Sequence, residues 1–216
     1  MPRRPLLPTG LLLCVLPGAL AAQAPPPRAG PRPAVGAEVG YSRSNLGGPD
    51  ATQLRSREGA LTGVFLQVPV AGPLSVRPEV LFALKGGRAQ AGLSGGGTAE
   101  IEIDLAYIEM PVLLRAGLPR GRFRPMLFGG VAPALKIGCD LQLIAPDTPV
   151  RASCDKADLA VFREFDVGFV VGGGLEVQWP QSALALEARY TAGLRSVIDG
   201  SDVRNRAFGI MVALTF

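Results

Sequence analysis

Glu187 and Arg189 stand two residues apart on a segment that alternates apolar with polar residues, so both side chains leave the same side of the chain. Arg77 and Glu79 repeat the arrangement. A carboxylate held beside a guanidinium can hold or move a proton, so a catalytic pair is one reading. A structural ion pair is the other, and it needs no substrate. The chain has no histidine in its 216 residues. That removes Ser-His-Asp triads, imidazole proton shuttles and the commonest zinc ligand. No catalytic residue, cofactor or metal site is therefore expected, and ion pairing is the preferred reading.

Two other groupings carry possible chemistry. Cys139 and Cys154 sit on one long polar segment. Two sulfurs without a histidine make a poor metal site. A disulfide closing a segment of about 15 residues is the expectation, worth roughly 3 kcal/mol in the chain-entropy model, with two free thiols as the alternative. Gly172-Gly173-Gly174 lacks the following Gly-Lys-Ser/Thr of a phosphate loop and lies in a strand-like run. Close backbone approach or strand curvature explains it better. Gly95-Gly96-Gly97 reads as a flexible loop tip.

The elements that position these groups follow from composition and period. Hydrophobic residues reach 48% and charged residues 19%, below the roughly 25% of soluble domains. Mean hydropathy is +0.28. Glycine (28) and proline (20) are abundant but follow no repeat, which argues against collagen-like or disordered chains. A net charge of +4, with no basic run interleaved with aromatics, gives no footing for nucleic acid.

Residues 1–22 read as a secretory signal peptide: Arg3 and Arg4, a short apolar run from Leu6 to Leu16, then Ala19-Leu20-Ala21-Ala22. The run is too short and proline-broken for a membrane anchor. Leu13 is too large for the small-residue slot before a lipoprotein Cys14. Cleavage would leave two cysteines in an oxidising compartment, and, without Arg3 and Arg4, 20 of the 22 basic residues against 18 acids. Residues 23–33 are proline-rich and polar, an extended periplasmic tether.

From residue 34 to residue 216 the apolar pattern has period two. Phe208, Ile210, Val212, Leu214 and Phe216 form one face of the last segment. Eight strands are predicted, at about 34–42, 60–70, 73–86, 100–116, 121–137, 164–179, 182–195 and 206–216. Segment 100–116 is irregular: Ile101, Ile103, Leu105 and Tyr107 share one parity, while Ile108, Met110, Val112 and Leu114 share the other. A bulge near 105–108, or a strand rising beyond the apolar zone, would each reconcile them. Several predicted strands are longer than the five or so residues usual in globular domains and match the roughly 9–11 needed to cross a bilayer. Tight turns at Ala71-Gly72, Pro119-Arg120 and Pro180-Gln181 alternate with long connections at 43–59, 87–99, 138–163 and 196–205. An even strand number with short turns at one end and long loops at the other is the plan of a transmembrane up-and-down β-barrel.

Charge placement separates the barrel types. The polar parity holds Glu38, Glu79, Glu109, Asp166, Glu176 and Glu187 with Arg77, Lys85, Arg115, Arg122, Arg124, Lys136 and Arg189. The opposite parity is nearly free of charge. In a soluble barrel that clean face would point inward, and a soluble exported barrel binding a lipid or small hydrophobic ligand is the alternative reading. The clean face is too bulky to fit inside eight strands. Lipid demands such a face, because a central lysine or arginine costs about 2–4 kcal/mol there, and it demands a sheet closed on itself. The expectation is an all-β, eight-stranded antiparallel barrel with a polar, ion-paired interior. Tyr41, Trp179 and Tyr190 fall on the lipid parity and are expected at the membrane interfaces, Trp179 beside the turn at Pro180.

The order Pro78-Glu79-Val80-Leu81-Phe82, Lys85-Gly86, Tyr107-Ile108-Glu109-Met110-Pro111-Val112-Leu113-Leu114, Gly129-Gly130-Val131-Ala132-Pro133-Ala134-Leu135, Asp166-Val167-Gly168, Gly172-Gly173-Gly174 and Ala188-Arg189-Tyr190-Thr191-Ala192-Gly193-Leu194 resembles the small eight-stranded outer-membrane β-barrel proteins. The group is the porin-family, PorT-like one within the OmpA/OmpX-like architecture. The resemblance spans 34–216 and implies a bacterial outer-membrane location, the lipid bilayer as partner and no catalytic residues. Barrel enzymes of this size use histidine. Phe216 on an alternating strand resembles the signal read by the outer-membrane assembly machinery. The expected role is a non-enzymatic barrel anchoring external loops for structural, adhesive or ligand-binding work, with a narrow pore as a variant.

Overall fold

The computed structural model describes residues 32–48, 55–92, 98–118, 121–144, 149–153, 163–196, 200 and 202–216. The expected signal peptide, most of the tether, the Pro119-Arg120 turn, Gly95-Gly96-Gly97 and Cys154 lie outside the described residues.

Alternation becomes ten strand segments: β1 Ala34–Gly47, β2 Arg55–Ala71, β3 Leu74–Gly92, β4 Thr98–Glu109, β5 Val112–Gly117, β6 Phe123–Ile144, β7 Pro149–Ser153, β8 Phe165–Gln178, β9 Ala183–Gly193 and β10 Arg204–Thr215. Segments β4 and β5 are two halves of one strand. Both lie between β3 and β6, and the break falls at Met110-Pro111, where proline lacks a ladder donor. Hydrogen bonds from Met110 N to Pro133 O (2.8 Å) and from Glu79 N to Pro111 O (2.8 Å) carry the ladder across the gap. With β4 and β5 counted as one and β7, which pairs with β6 off the ring, set aside, eight antiparallel strands pair in a closed ring, with β10 returning to β1. Closure leaves the ring without an open edge.

The tight turns have local causes. Ala71 pairs with Leu74, and Gly72 between them has a φ of +52°, a conformation glycine adopts without penalty. Trp179 N donates to Ser182 O at 2.8 Å and closes the turn over Pro180-Gln181.

Three features differ from the expected strand plan. The strands run further at the loop end: β1 reaches Gly47, β2 starts at Arg55 and β3 reaches Gly92. Within the segment expected as one loop, 138–163, β6 continues to Ile144 and β7 returns along it, Asp140 pairing with Ser153. Beyond the apolar band the outer face turns polar, as at Arg43 and Asn45, while Ser44, Leu46 and Cys139 stay buried inside, so the apolar-outward signal ends while the backbone ladder continues. The third difference is the bulge. It lies on β6: Ala106 pairs with Gly138 and Tyr107 with Lys136, leaving Ile137 as the extra residue. Against β3, β4 runs unbroken from Glu109 to Thr98. Leu105, Tyr107, Glu109, Leu113 and Arg115 therefore all face inward, and on β6 the inward parity switches from Ala132 and Ala134 to Cys139.

The two faces are sharply different. Leu186 is 57% exposed and its neighbour Glu187 1%; Val212 is 43% exposed and Met211 0%. Val39, Phe169, Val171 and Ile210 join the exposed apolar wall. The interior is mixed. Charged side chains fill much of it, and Leu61, Leu81, Ala83, Leu105, Tyr107, Ala134, Cys139 and Met211 form an apolar cluster within it.

Large interior rings need bare backbone opposite them. A Cβ on Gly172 would stand 2.5 Å from the Phe128 ring and 2.5 Å from Ala188 O. This close approach accounts for one member of the glycine run. Gly172→Ala is expected to lower stability by about 1–3 kcal/mol through overpacking. The readout is the urea midpoint for unfolding of the folded barrel in detergent, and an unchanged midpoint contradicts it.

Candidate functional site

The candidate site is the charged interior, built from alternate residues of facing strands. At its centre Arg77 of β3 reaches three carboxylates: Glu38 of β1 (Nη2–Oε2, 2.5 Å), Glu187 of β9 (Nη1–Oε1, 2.6 Å) and Glu79 (Nε–Oε1, 3.0 Å). Arg189 of β9 reaches the same three, at 2.8 Å to Glu79, 3.3 Å to Glu38 and 3.4 Å to Glu187. The guanidinium of Arg77 lies 3.7 Å from the Phe65 ring centroid and that of Arg189 5.6 Å from Phe128, so the rings cover part of the cationic surface. All five charged residues are buried. Two guanidiniums against three carboxylates give the cluster a formal charge of −1 (2 − 3) with every group ionised.

Towards the turns, Arg115 pairs with Glu176 (2.5 Å) and donates to Gln67 Oε1 (3.0 Å) and the Met126 sulfur (2.6 Å). This pair borders a cavity of about 320 Å³ at the barrel mouth, also lined by Arg32, Arg124 and Gln178. Towards the loops, Lys85 pairs with Glu109, with the ammonium 5.7 Å from the Tyr107 ring. Asp166 accepts from its neighbour Val167 N (2.7 Å) and from Asn205 Nδ2 (3.1 Å).

Not every residue of the polar parity enters these groups. Arg124 is half-buried at the mouth and donates to Gly121 O at 3.2 Å. Lys136 is half-buried beside the β6 bulge. Arg122 is exposed and lies over the Trp179 ring at 5.8 Å. A further ion-pair group at the loop end escaped the sequence reading: Arg57 with Asp104 (2.5 Å) and Glu102 (3.1 Å), and Arg88 with Glu102 (3.1 Å). Arg57 and Arg88 sit on extensions beyond the expected strands, whereas Glu102 and Asp104 lie within the expected strand 100–116, between Ile101, Ile103 and Leu105.

On the outer wall, Tyr41, Trp179 and Tyr190 are exposed. Trp179 is beside the Pro180 turn, whereas Tyr41 and Tyr190 lie towards the loop end, paired with Ile210 and Phe208 of β10. Phe216 is also exposed, its N–H bound to Val35 O at 2.8 Å.

A closed ring with an apolar outer wall and an ion-paired interior is what a bilayer requires of a β-protein. The family model for an outer membrane protein beta-barrel domain matches residues 21–199. The chain belongs to this outer-membrane β-barrel family. The ring is accordingly embedded in the lipid bilayer of the bacterial outer membrane, and the reading as a soluble exported barrel is set aside. No curated protein matches the chain. Among solved structures the barrel is similar to Neisserial surface protein A, at 11% identity over 84% of this chain and 97% of that one, with a TM-score of 0.48. It is similar to Ail, the attachment invasion locus protein of Yersinia pestis, solved with the heparin analogue sucrose octasulfate, at 13% identity over 85% of this chain and 99% of that one, TM-score 0.41. The outer membrane enzyme PagL is another, at 11% identity over 83% of this chain and 97% of that one, TM-score 0.36.

Proposed function

We propose that this outer-membrane barrel is a non-enzymatic anchor, holding the connections at its loop end for structural, adhesive or ligand-binding work. The observation that carries this reading is the filled interior. Arg77, Leu81, Leu105, Tyr107, Leu113 and Met211 are all nearly inaccessible, and the charged groups there are spent on one another. Substrate or ions would have to displace paired charges from a low-dielectric interior, at a cost of several kcal/mol per uncompensated ion. The narrow-pore variant is tested in planar bilayers: the purified chain is expected to stay silent across voltages, and stepwise openings would overturn the anchor reading. Replacing residues 93–97 by two glycines is expected to leave heat-modifiable gel mobility intact. Loss of that mobility would show that the barrel depends on what it is said to carry.

The remaining parts of the proposal concern export and the membrane surfaces. Residues 1–22 direct export and are cleaved, 23–33 tether, and 34–216 form the barrel, whose assembly machinery reads the strand ending in Phe216. The turns face the periplasm, as in barrels of this plan. Tyr41 and Tyr190 sit at one interface and Trp179 at the other. Cys139 and Cys154 form a disulfide. Its support is the register of β6 with β7, which pairs Asp140 with Ser153, the residues next to the two cysteines in sequence. Iodoacetamide is expected to modify no thiol in the denatured, unreduced mature protein and two after reduction; alkylation without reductant contradicts the bond.

A further inference from the structure

The outer wall changes character abruptly where β10 meets β1. Going towards the loops, the outward residues of β10 are Leu214, Val212, Ile210 and Phe208, then Arg206 and Arg204. Those of β1 are Val35, Ala37, Val39 and Tyr41, then Arg43 and Asn45. The switch comes one outward rung earlier on β1 than on β10, because Arg43 pairs with Phe208 and Arg206 with Asn45. Arg206 lies opposite Asn45 on one side and Ala192 on the other, neither of them charged. Arg43 and Arg206 are diagonal neighbours on one face, about 7–8 Å apart at their origins. Arg43 Nε donates to Ser56 Oγ of β2 at 2.7 Å, and its Nη groups together with those of Arg206 can offer one phosphate charge-assisted hydrogen bonds. The side chain of Arg206 lies along bare backbone: a Cβ on Gly47 would stand 3.4 Å from its Cδ and Nε.

The charge is uneven around the rim. Among the described residues, Arg43, Arg195, Arg204 and Arg206 of the β9–β10–β1 sector stand with Asp202 and with Glu58 of β2, a balance of +2 (4 − 2). Glu58 stands across from Arg43, and Asp202 pairs with Arg204 at 2.8 Å. Among the described residues the neighbouring rim of β2, β3 and β4 carries Arg55, Arg57 and Arg88 with Glu100, Glu102 and Asp104, a balance of 0 (3 − 3). Among the described residues the β9–β10–β1 side of the rim is therefore the more cationic.

We propose that the outer wall around Arg206 and Arg43 binds a membrane lipid with a phosphorylated headgroup, the phosphate on the guanidiniums and an acyl chain on the Phe208–Tyr41–Ile210 column. A free anion would use the charges but not the apolar column directly below them. A lipid presents both at that spacing. The inference rests on the ring lying in a bilayer, not on the anchoring role or on which end faces outward.

The test uses the purified full chain in detergent and native mass spectrometry, with phosphatidic acid and the diacylglycerol of identical chains as probes. The wild type is expected to prefer phosphatidic acid by about tenfold or more, as charge-assisted hydrogen bonds at one site imply. R43Q/R206Q is expected to lose the preference, and R88Q, in the neighbouring sector, to keep it. Inorganic phosphate at millimolar concentration is expected not to displace the lipid. Equal binding of the two lipids by the wild type overturns the site whether or not the variants fold. Displacement by phosphate, or retention of the preference in R43Q/R206Q, overturns it as well.

Discussion

Arg77→Leu is expected to destabilise the folded barrel by about 3–5 kcal/mol, the cost of breaking a buried ionic group from one side. The substitution leaves Glu38, Glu79 and Glu187 sharing Arg189 alone within the cluster, all in an interior where Arg77 and its carboxylate partners are almost wholly buried. It also removes the guanidinium stacked on Phe65. The loss is therefore unpaired charge more than lost contact. Neutralising the acids together with the base separates the two: Arg77→Met with Glu38→Gln and Glu187→Gln is expected to recover most of the stability, since replacing a whole buried ion-pair group is often neutral. Urea unfolding of the refolded protein, followed by heat-modifiable mobility, reads both. A single variant as stable as the wild type would show that the five side chains do not act as one network.

Leu186→Arg is expected to cost about 2–4 kcal/mol, the depth-dependent penalty for a cation on a lipid face. Leu186 lies midway along β9, paired with Val212 and Leu175, both exposed and apolar. Val35→Arg, one residue into β1, is expected to cost about 0–1 kcal/mol because an arginine near the interface can snorkel to water. The contrast between the two, measured by unfolding from lipid vesicles, carries the prediction. Equal costs would mean that depth in the membrane does not govern this wall.

Much of this arrangement was legible in the sequence, because a lipid wall and a charged interior exaggerate the period-two signal. Along β9, Leu184, Leu186 and Tyr190 alternate with Glu187 and Arg189, and the same parity separates exposed from buried side chains. Proximity was not legible. Nothing in the order of residues says that Arg77 meets Glu38 and Glu187, since that depends on ring closure and on how far the strands are staggered. Leu105 and Tyr107 were ambiguous because an apolar residue can face lipid or fill the interior, and polarity then says nothing about direction. The β6 bulge at Ile137 was hidden for a related reason: an extra residue switches the parity, but Leu135, Ile137, Cys139 and Leu141 are all apolar across the switch. Segment β7 (Pro149–Ser153) had no apolar face to announce it, whereas the β6 extension did alternate, with Cys139, Leu141 and Leu143 against Asp140 and Gln142.

The direction of the apolar wall is tested most directly by collision accessibility of spin labels. Labels are placed singly at positions 39, 171, 186 and 212 on the barrel reconstituted in vesicles. Each is expected to collide more often with oxygen, which concentrates in hydrocarbon, than with a water-soluble nickel complex. Nickel-dominated collisions at these four positions would mean that the wall faces water, and the outward-lipid, inward-charge arrangement would be wrong.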